Sequence, residues 1–163
     1  MFAAVLALAA LAGPDTIPAD PCASHKPGAA GGIEAFVVTA PARLQARDTI
    51  VRATVCVVPR SSRGGTRIAS YHGELLFDST AARVLSVVKP GDGMRVENTT
   101  GAGRVRFAGA APTGFSENNL LTVVLRVRTP AAVPKIRLEM RELNGADGTD
   151  LMKRLVISSA QRP

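Results

Sequence analysis

Residues 120–128 read Leu-Leu-Thr-Val-Val-Leu-Arg-Val-Arg. Leu121, Val123, Leu125 and Val127 fall on one side of an extended chain, with Thr122, Arg126 and Arg128 on the other. Successive side chains of a strand point to opposite faces, so this period of two predicts a strand with one core face and one wet face. Residues 49–58, TIVRATVCVV, repeat the pattern: Val51, Ala53, Val55 and Val57 oppose Arg52, Thr54 and Cys56. Ile136, Leu138 and Met140 against Arg137, Glu139 and Arg141, and Val105 and Phe107 against Arg104 and Arg106, do so again.

Working outward, alternation broken by turn residues predicts nine strands. They are Ile33 to Thr39, Thr49 to Val58, Ile68 to Phe77, Arg83 to Val88, Met94 to Glu97, Gly103 to Ala108, Leu120 to Arg128, Lys135 to Leu143 and Lys153 to Ser158. Pro41, Pro59, Pro90, Pro112, Pro130 and Pro134 are expected between strands, where the missing N–H removes no ladder bond. No long amphipathic helix pattern competes. Antiparallel strands with one buried face each stack as a two-sheet sandwich.

The chain has 163 residues, 46% of them hydrophobic, enough for one domain with a core of its own. Residues 1–12, MFAAVLALAALA, are uncharged and end in a small-x-small site, which predicts an export signal too short to span a bilayer. Residues 13–32, rich in Pro, Gly and Ala, are expected to form a flexible leader, 33–158 the sandwich and 159–163 a tail. No membrane insertion is expected once the signal is removed, and the protein is placed outside the cell, at its surface or in the periplasm.

The run Gly73 to Gly93, GELLFDSTAARVLSVVKPGDG, followed by Gly103 to Thr129, GRVRFAGAAPTGFSENNLLTVVLRVRT, resembles a cohesin domain, the nine-stranded jelly-roll sandwich of bacterial extracellular proteins. The resemblance rests on Leu76-Phe77-Asp78-Ser79, then Val84 to Val88 and Pro90-Gly91, then Gly103 to Ala108 and Leu121 to Val127. Ser79 stands where the family has Pro, and Asn118-Asn119 where it has Gly. The likeness implies an all-β cohesin-like fold and a non-catalytic module that docks a dockerin-like protein through a sheet face, in a polysaccharide-degrading or cell-surface assembly. A carbohydrate-binding or purely structural extracellular domain is the alternative.

Candidate chemistry is sparse. There is no Trp, one Tyr and five Phe, too few for a sugar-stacking groove or a nucleic-acid platform. Two His and two Cys leave little for a metal cluster or nucleophilic catalysis, so no enzyme, metal or cofactor is expected. Leu143 to Leu151, LNGADGTDL, lacks two oxygens of a calcium loop and reads instead as a hairpin turn between the last two strands. His72 is expected to be an exposed strand histidine, Tyr71 to face the core with Leu75 and Phe77, and Asn98-Thr99-Thr100 to mark an exposed loop.

The formal charge is +7, and apart from Lys26, Lys89, Lys135 and Lys153 every basic residue is arginine. Arg104, Arg106, Arg126 and Arg128 on wet strand faces are the candidate contacts to an acidic protein partner, with an anionic polysaccharide second and nucleic acid not expected. Cys22 and Cys56 are an even pair in an exported chain, which predicts a disulfide. Cys56 shares a wet face with Arg52 and Thr54, so a leader crossing that face brings Cys22 against it.

Overall fold

The structure, a computed structural model, describes residues 20–23, 32–45, 48–59, 66–128 and 134–158. The apolar stretch 1–12, most of the leader and the tail lie outside these. Among the described residues there are nine strands: β1 (Ile33–Gln45), β2 (Asp48–Pro59), β3 (Ile68–Phe77), β4 (Ala82–Val88), β5 (Met94–Asn98), β6 (Arg104–Ala110), β7 (Asn119–Val127), β8 (Ile136–Gly145) and β9 (Leu155–Ile157). One sheet has the order β4-β7-β2-β1-β9 and the other β5-β6-β3-β8, so the two pack as a sandwich. A 3-10 turn, Met152–Arg154, precedes β9.

The inward rows are those the alternation assigns. Val51, Ala53, Val55 and Val57 of β2 and Leu121, Val123, Leu125 and Val127 of β7 are buried. Tyr71, Leu75, Val105, Phe107, Leu138 and Met140 of the facing sheet are buried too, and nearly all of these residues belong to one continuous core. Gly109 faces inward where the Tyr71 ring stands over β6; a Cβ there would lie 2.4 Å from that ring. Tyr71 in turn packs beside Phe107 and Phe115, with ring centroids 6.1 and 5.2 Å away.

Four expectations need correction. Pro41 lies inside β1 and Pro59 ends β2, both paired in the ladder. The other neighbour of β1, β9, reaches only Ile33 to Ala35, so an absent N–H at Pro41 costs no bond. The second concerns the turn after β8. It forms, with Gly145 N–H donating to the Thr149 carbonyl, but the last strand crosses to the other sheet and runs parallel to β1 instead of closing a hairpin. Leu151, fully buried, anchors that crossing. Third, His72 is half-buried, not exposed, because β8 and β6 flank it on both sides.

The fourth correction is the largest. Thr54 and Cys56 are not on a wet face: they are 4% and 0% exposed. Cys22 is bonded to Cys56 at an S–S distance of 2.06 Å, and Cys22, Phe36, Val38, Cys56 and Val58 make a second apolar cluster on the outside of the five-stranded sheet. Alternation marks these positions as outward, and outward they are, but residues 20–23 cover them. The leader is therefore pinned at this point of its course.

The bond closes a loop of sequence separation 34. In the chain-entropy account such a cross-link stabilises by about 3–4 kcal/mol. Cys22→Ala/Cys56→Ala should lower the guanidinium unfolding midpoint accordingly, and adding reductant should shift the natural protein, but not the double variant, in the same direction.

Candidate docking face

Residues 20–23 are fastened over one sheet, and the other sheet, β5-β6-β3-β8, has its own outer face. Its ladders place side chains in four rows. Met94, Ala110, Ser70 and Asn144 form the first, and Val96, Ala108, His72 and Glu142 the second. The third holds Asn98, Arg106, Glu74 and Glu139, and the fourth Arg104, Leu76 and Arg137. Register alone divides the face into an apolar half and a charged half.

The apolar half is built at an edge. Met94 and Val96 of β5 are 70% and 58% exposed. Beside them the small side chains of Ala108 and Ala110 leave a shallow depression of about 430 Å³, closed on its far side by Ser70, His72 and Glu142. Those polar residues are held in place: Ser70 Oγ donates to Glu142 Oε1 at 2.8 Å, and Asn144 Nδ2 donates to both Ser70 Oγ and Glu142 Oε1 at 2.9 Å. The depression is thus apolar on one side and rimmed on the other by polar groups that hold one another in place.

The charged half is organised by one carboxylate. The Glu74 side chain is only 6% exposed and meets Arg104 Nε at 3.3 Å, Arg106 Nε at 3.3 Å and Arg141 Nη2 at 3.5 Å. Glu139 takes Arg137 at 2.7 Å and Arg141 at 3.9 Å. A nearly buried carboxylate needs such partners, because uncompensated burial of a charge is costly. Arg104 and Arg106 are therefore members of an ion-pair network that shares Glu74, not a free basic row.

β5 also reverses the usual alternation. Arg95 points into the sandwich, its side chain 3% exposed, while its apolar neighbours point out. Its guanidinium donates to the Pro90 carbonyl at 2.6 Å, to the Asp92 carbonyl, to Asp92 Oδ1 at 2.8 Å and to Tyr71 Oη at 3.2 Å. It also lies 4.4 Å over the Phe115 ring. Asp92 Oδ2 accepts from the Ser116 N–H and hydroxyl at 2.6 and 2.8 Å. Burial opposes ionisation of Asp92, but the bonds from Ser116 and the charge and bond of Arg95 outweigh it and hold the carboxyl at about 2.

The four arginines read as one contact surface are divided by the fold. Arg104 and Arg106 are on β6, whereas Arg126 on β7 and Arg128 just beyond it belong to the opposite sheet. Local alternation tells inward from outward but not which sheet a strand joins. In the loop 143–151, Asp147 Oδ1 accepts the Thr149 N–H and Asp150 Oδ1 the Met152 N–H, so both carboxylates serve the turn. Asn98 Oδ1 accepts from the Thr100 N–H and hydroxyl in its exposed loop. Glu74, Met94, Val96 and Arg95 are the residues that sequence reasoning did not single out. The signal was the order Met-Arg-Val-Glu itself, in which an apolar-inward reading buries Met94 and exposes Arg95.

No family model and no curated protein matches the chain. Solved structures do. A non-cellulosomal cohesin from the hyperthermophilic archaeon Archaeoglobus fulgidus aligns at TM-score 0.55 and 18% identity, covering 80% of this chain and 88% of that one. The OlpC type I cohesin–dockerin complex from Clostridium thermocellum aligns at TM-score 0.56 and 15% identity, covering 85% and 96%. The seventh ScaB type I cohesin from Pseudobacteroides cellulosolvens aligns at TM-score 0.53 and 14% identity, covering 81% and 92%. The chain has the cohesin fold.

The Asp92–Arg95 clamp sets the pitch of β5 and hence what the face presents. Its carboxyl is held at about 2 against an ordinary 3.8, so its contribution is full above about pH 5 and is lost as pH falls through 4 towards 2. Asp92→Asn should destabilise by about 1–3 kcal/mol at pH 7. The gap between the variant and the natural protein should close on acidification, read as thermal midpoints from pH 7 to pH 2.5.

Proposed function

We propose that this domain is an exported, non-catalytic docking module that seats a dockerin-like protein on the outer face of β5-β6-β3-β8. The observation that carries the reading is the two-part surface: an exposed apolar edge, Met94 and Val96, next to an ordered charged field around Glu74. Apolar anchors supply affinity, and the fixed guanidinium–carboxylate network supplies register and selects the partner.

Further observations support it. Solved neighbours of the same fold include cohesins bound to dockerins, among them the OlpC complex. The interior is filled by aliphatic and aromatic side chains from both sheets, so a partner has the outer surfaces to use. The Cys22–Cys56 bond fits an oxidising compartment, and among the described residues no helix is long and apolar enough to cross a membrane. Tyr71, the sole tyrosine, is 2% exposed and takes no part in a sugar platform.

The test is capture of secreted proteins on the immobilised domain, followed by titration of the isolated dockerin-like module. Met94→Glu/Val96→Glu should weaken binding at least tenfold, about 1.4 kcal/mol, with the thermal midpoint of the domain nearly unchanged. Undiminished capture by that variant would remove this face from the account.

A further inference from the structure

Along one side of the sandwich two strand edges are left open. β4 ends one sheet and β5 ends the other, and among the described strands each pairs on one flank only. The Arg128 N–H donates to the Ala81 carbonyl at 2.9 Å, and the register runs on with Ala82 opposite Val127 and Arg83 opposite Arg126. Antiparallel bonding alternates, so the backbone groups of Ala82 and Val84 are turned away from β7. The Ala82 N–H donates to the Asp78 carbonyl at 3.0 Å, in agreement with that phase. Past the register shift between Val84 and Ser86, Ser86 and Val88 stand opposite Val124 and Thr122, which puts Val87 in the outward phase too. Val84 and Val87 therefore offer N–H and C=O groups that no described strand takes up.

A slot of about 550 Å³ runs along this edge, with β4 as one wall and residues of the 97–103 segment of the other sheet as the opposite wall. Phe77, Val84 and Val87, half-buried at the margin of the core, line it, and Ser79, Ser86 and Thr99 bring exposed hydroxyls to its rim. The far wall is fixed in place. The Phe77 N–H donates to the Gly103 carbonyl at 2.9 Å, and Gly103, at φ 68°, has no room for a side chain, since a Cβ would lie 2.4 Å from the Phe77 carbonyl. Glu97, the carboxylate of that wall, is already paired with Lys89. Edge strands are ordinarily blunted by charge or proline. Residues 84–88 read Val-Leu-Ser-Val-Val instead, with Leu85 40% and Val88 57% exposed.

We propose that this slot takes one extended peptide strand, added to the free edge of β4 and carrying apolar side chains at alternate positions. The unpaired groups of Val84 and Val87 are matched by another extended backbone, and every second side chain of that backbone falls on the apolar lining of Phe77, Val84 and Val87. The occupant is a single strand and not a second copy of the chain. Walls on both sides suit one strand, and the register shift at Leu85 interrupts the regular edge that two sheets need in order to join. From Ala82 to Val87 the edge is about 17 Å long, enough for a strand of about five residues. Backbone bonding and apolar contact carry the recognition, and the fixed far wall means that little ordering is needed on binding. The slot lies at the seam between the sheets, so the inference does not rest on the docking reading.

The test selects random dodecapeptides displayed on phage against the disulfide-intact domain, then titrates the strongest as a soluble synthetic peptide by amide and methyl NMR. The Val84 and Val87 signals should shift, and binding should be as strong in about 0.5 M salt as at low ionic strength. N-methylation of one alternate set of peptide nitrogens, those that meet β4, should weaken binding about tenfold, and N-methylation of the other set should not. Thr99→Trp, which fills the slot from an exposed position, should weaken it about as much with the thermal midpoint unchanged. No enriched peptide, shifts confined to Met94 and Val96, or indifference to N-methylation of either set would overturn the proposal. Shifts of Val84 and Val87 with protein concentration alone would overturn it in favour of a second copy. Failure of dockerin capture leaves each of these results untouched.

Discussion

The inter-sheet core is the constraint from which both outer surfaces follow. Ala53, Val55 and Val57 share it with Leu121, Val123 and Leu125 and with Leu75, Val105 and Phe107 of the facing sheet. Because side chains alternate, burying these rows fixes every intervening residue on an outer face, and a one-residue slip would exchange the two sets. Arg104, Arg106, Glu74, Arg52 and Arg126 point to outer faces for this reason before any consideration of what they bind. The same filled core turns function outward.

The two outer faces are then treated differently. On the five-stranded sheet, residues 20–23 are held by Cys22 over Phe36, Val38 and Val58, removing an apolar patch from solvent. On the four-stranded sheet apolar side chains remain exposed at Met94 and Val96, where Arg95 has taken the inward place. An arginine inside a sandwich is tolerable only with its hydrogen bonds satisfied, and the carbonyls of Pro90 and Asp92, the Asp92 carboxylate and the Tyr71 hydroxyl do so. One strand accepts a complicated interior so that two apolar residues can face out.

Strand positions were legible because the period of two is strong in β2, β7 and β8 and is punctuated by Pro and Gly. The pairing of Cys22 with Cys56 was legible from an even count of two cysteines. What escaped was non-local. Nothing in the β6 and β7 sequences says that Arg106 and Arg126 lie on opposite sheets, nor that Glu74, thirty residues and more before Arg106 and Arg141, will be the carboxylate between them. The wet reading of Cys56 failed because alternation reports direction, not cover. β5 defeats an apolar-inward rule because the partners of Arg95 come from a turn and from β3.

The central claim is that the four-stranded face, led by the exposed Met94 and Val96, is where a protein partner docks. Methyl NMR of the disulfide-intact domain, titrated with a captured dockerin-like module, reads it most directly. The account predicts that the Met94 and Val96 methyls shift on binding while those of Leu85 and Val88, exposed on the other sheet, and of Val38 and Val58, beneath residues 20–23, do not. Shifts confined to Leu85 and Val88, with Met94 and Val96 unmoved, would contradict it.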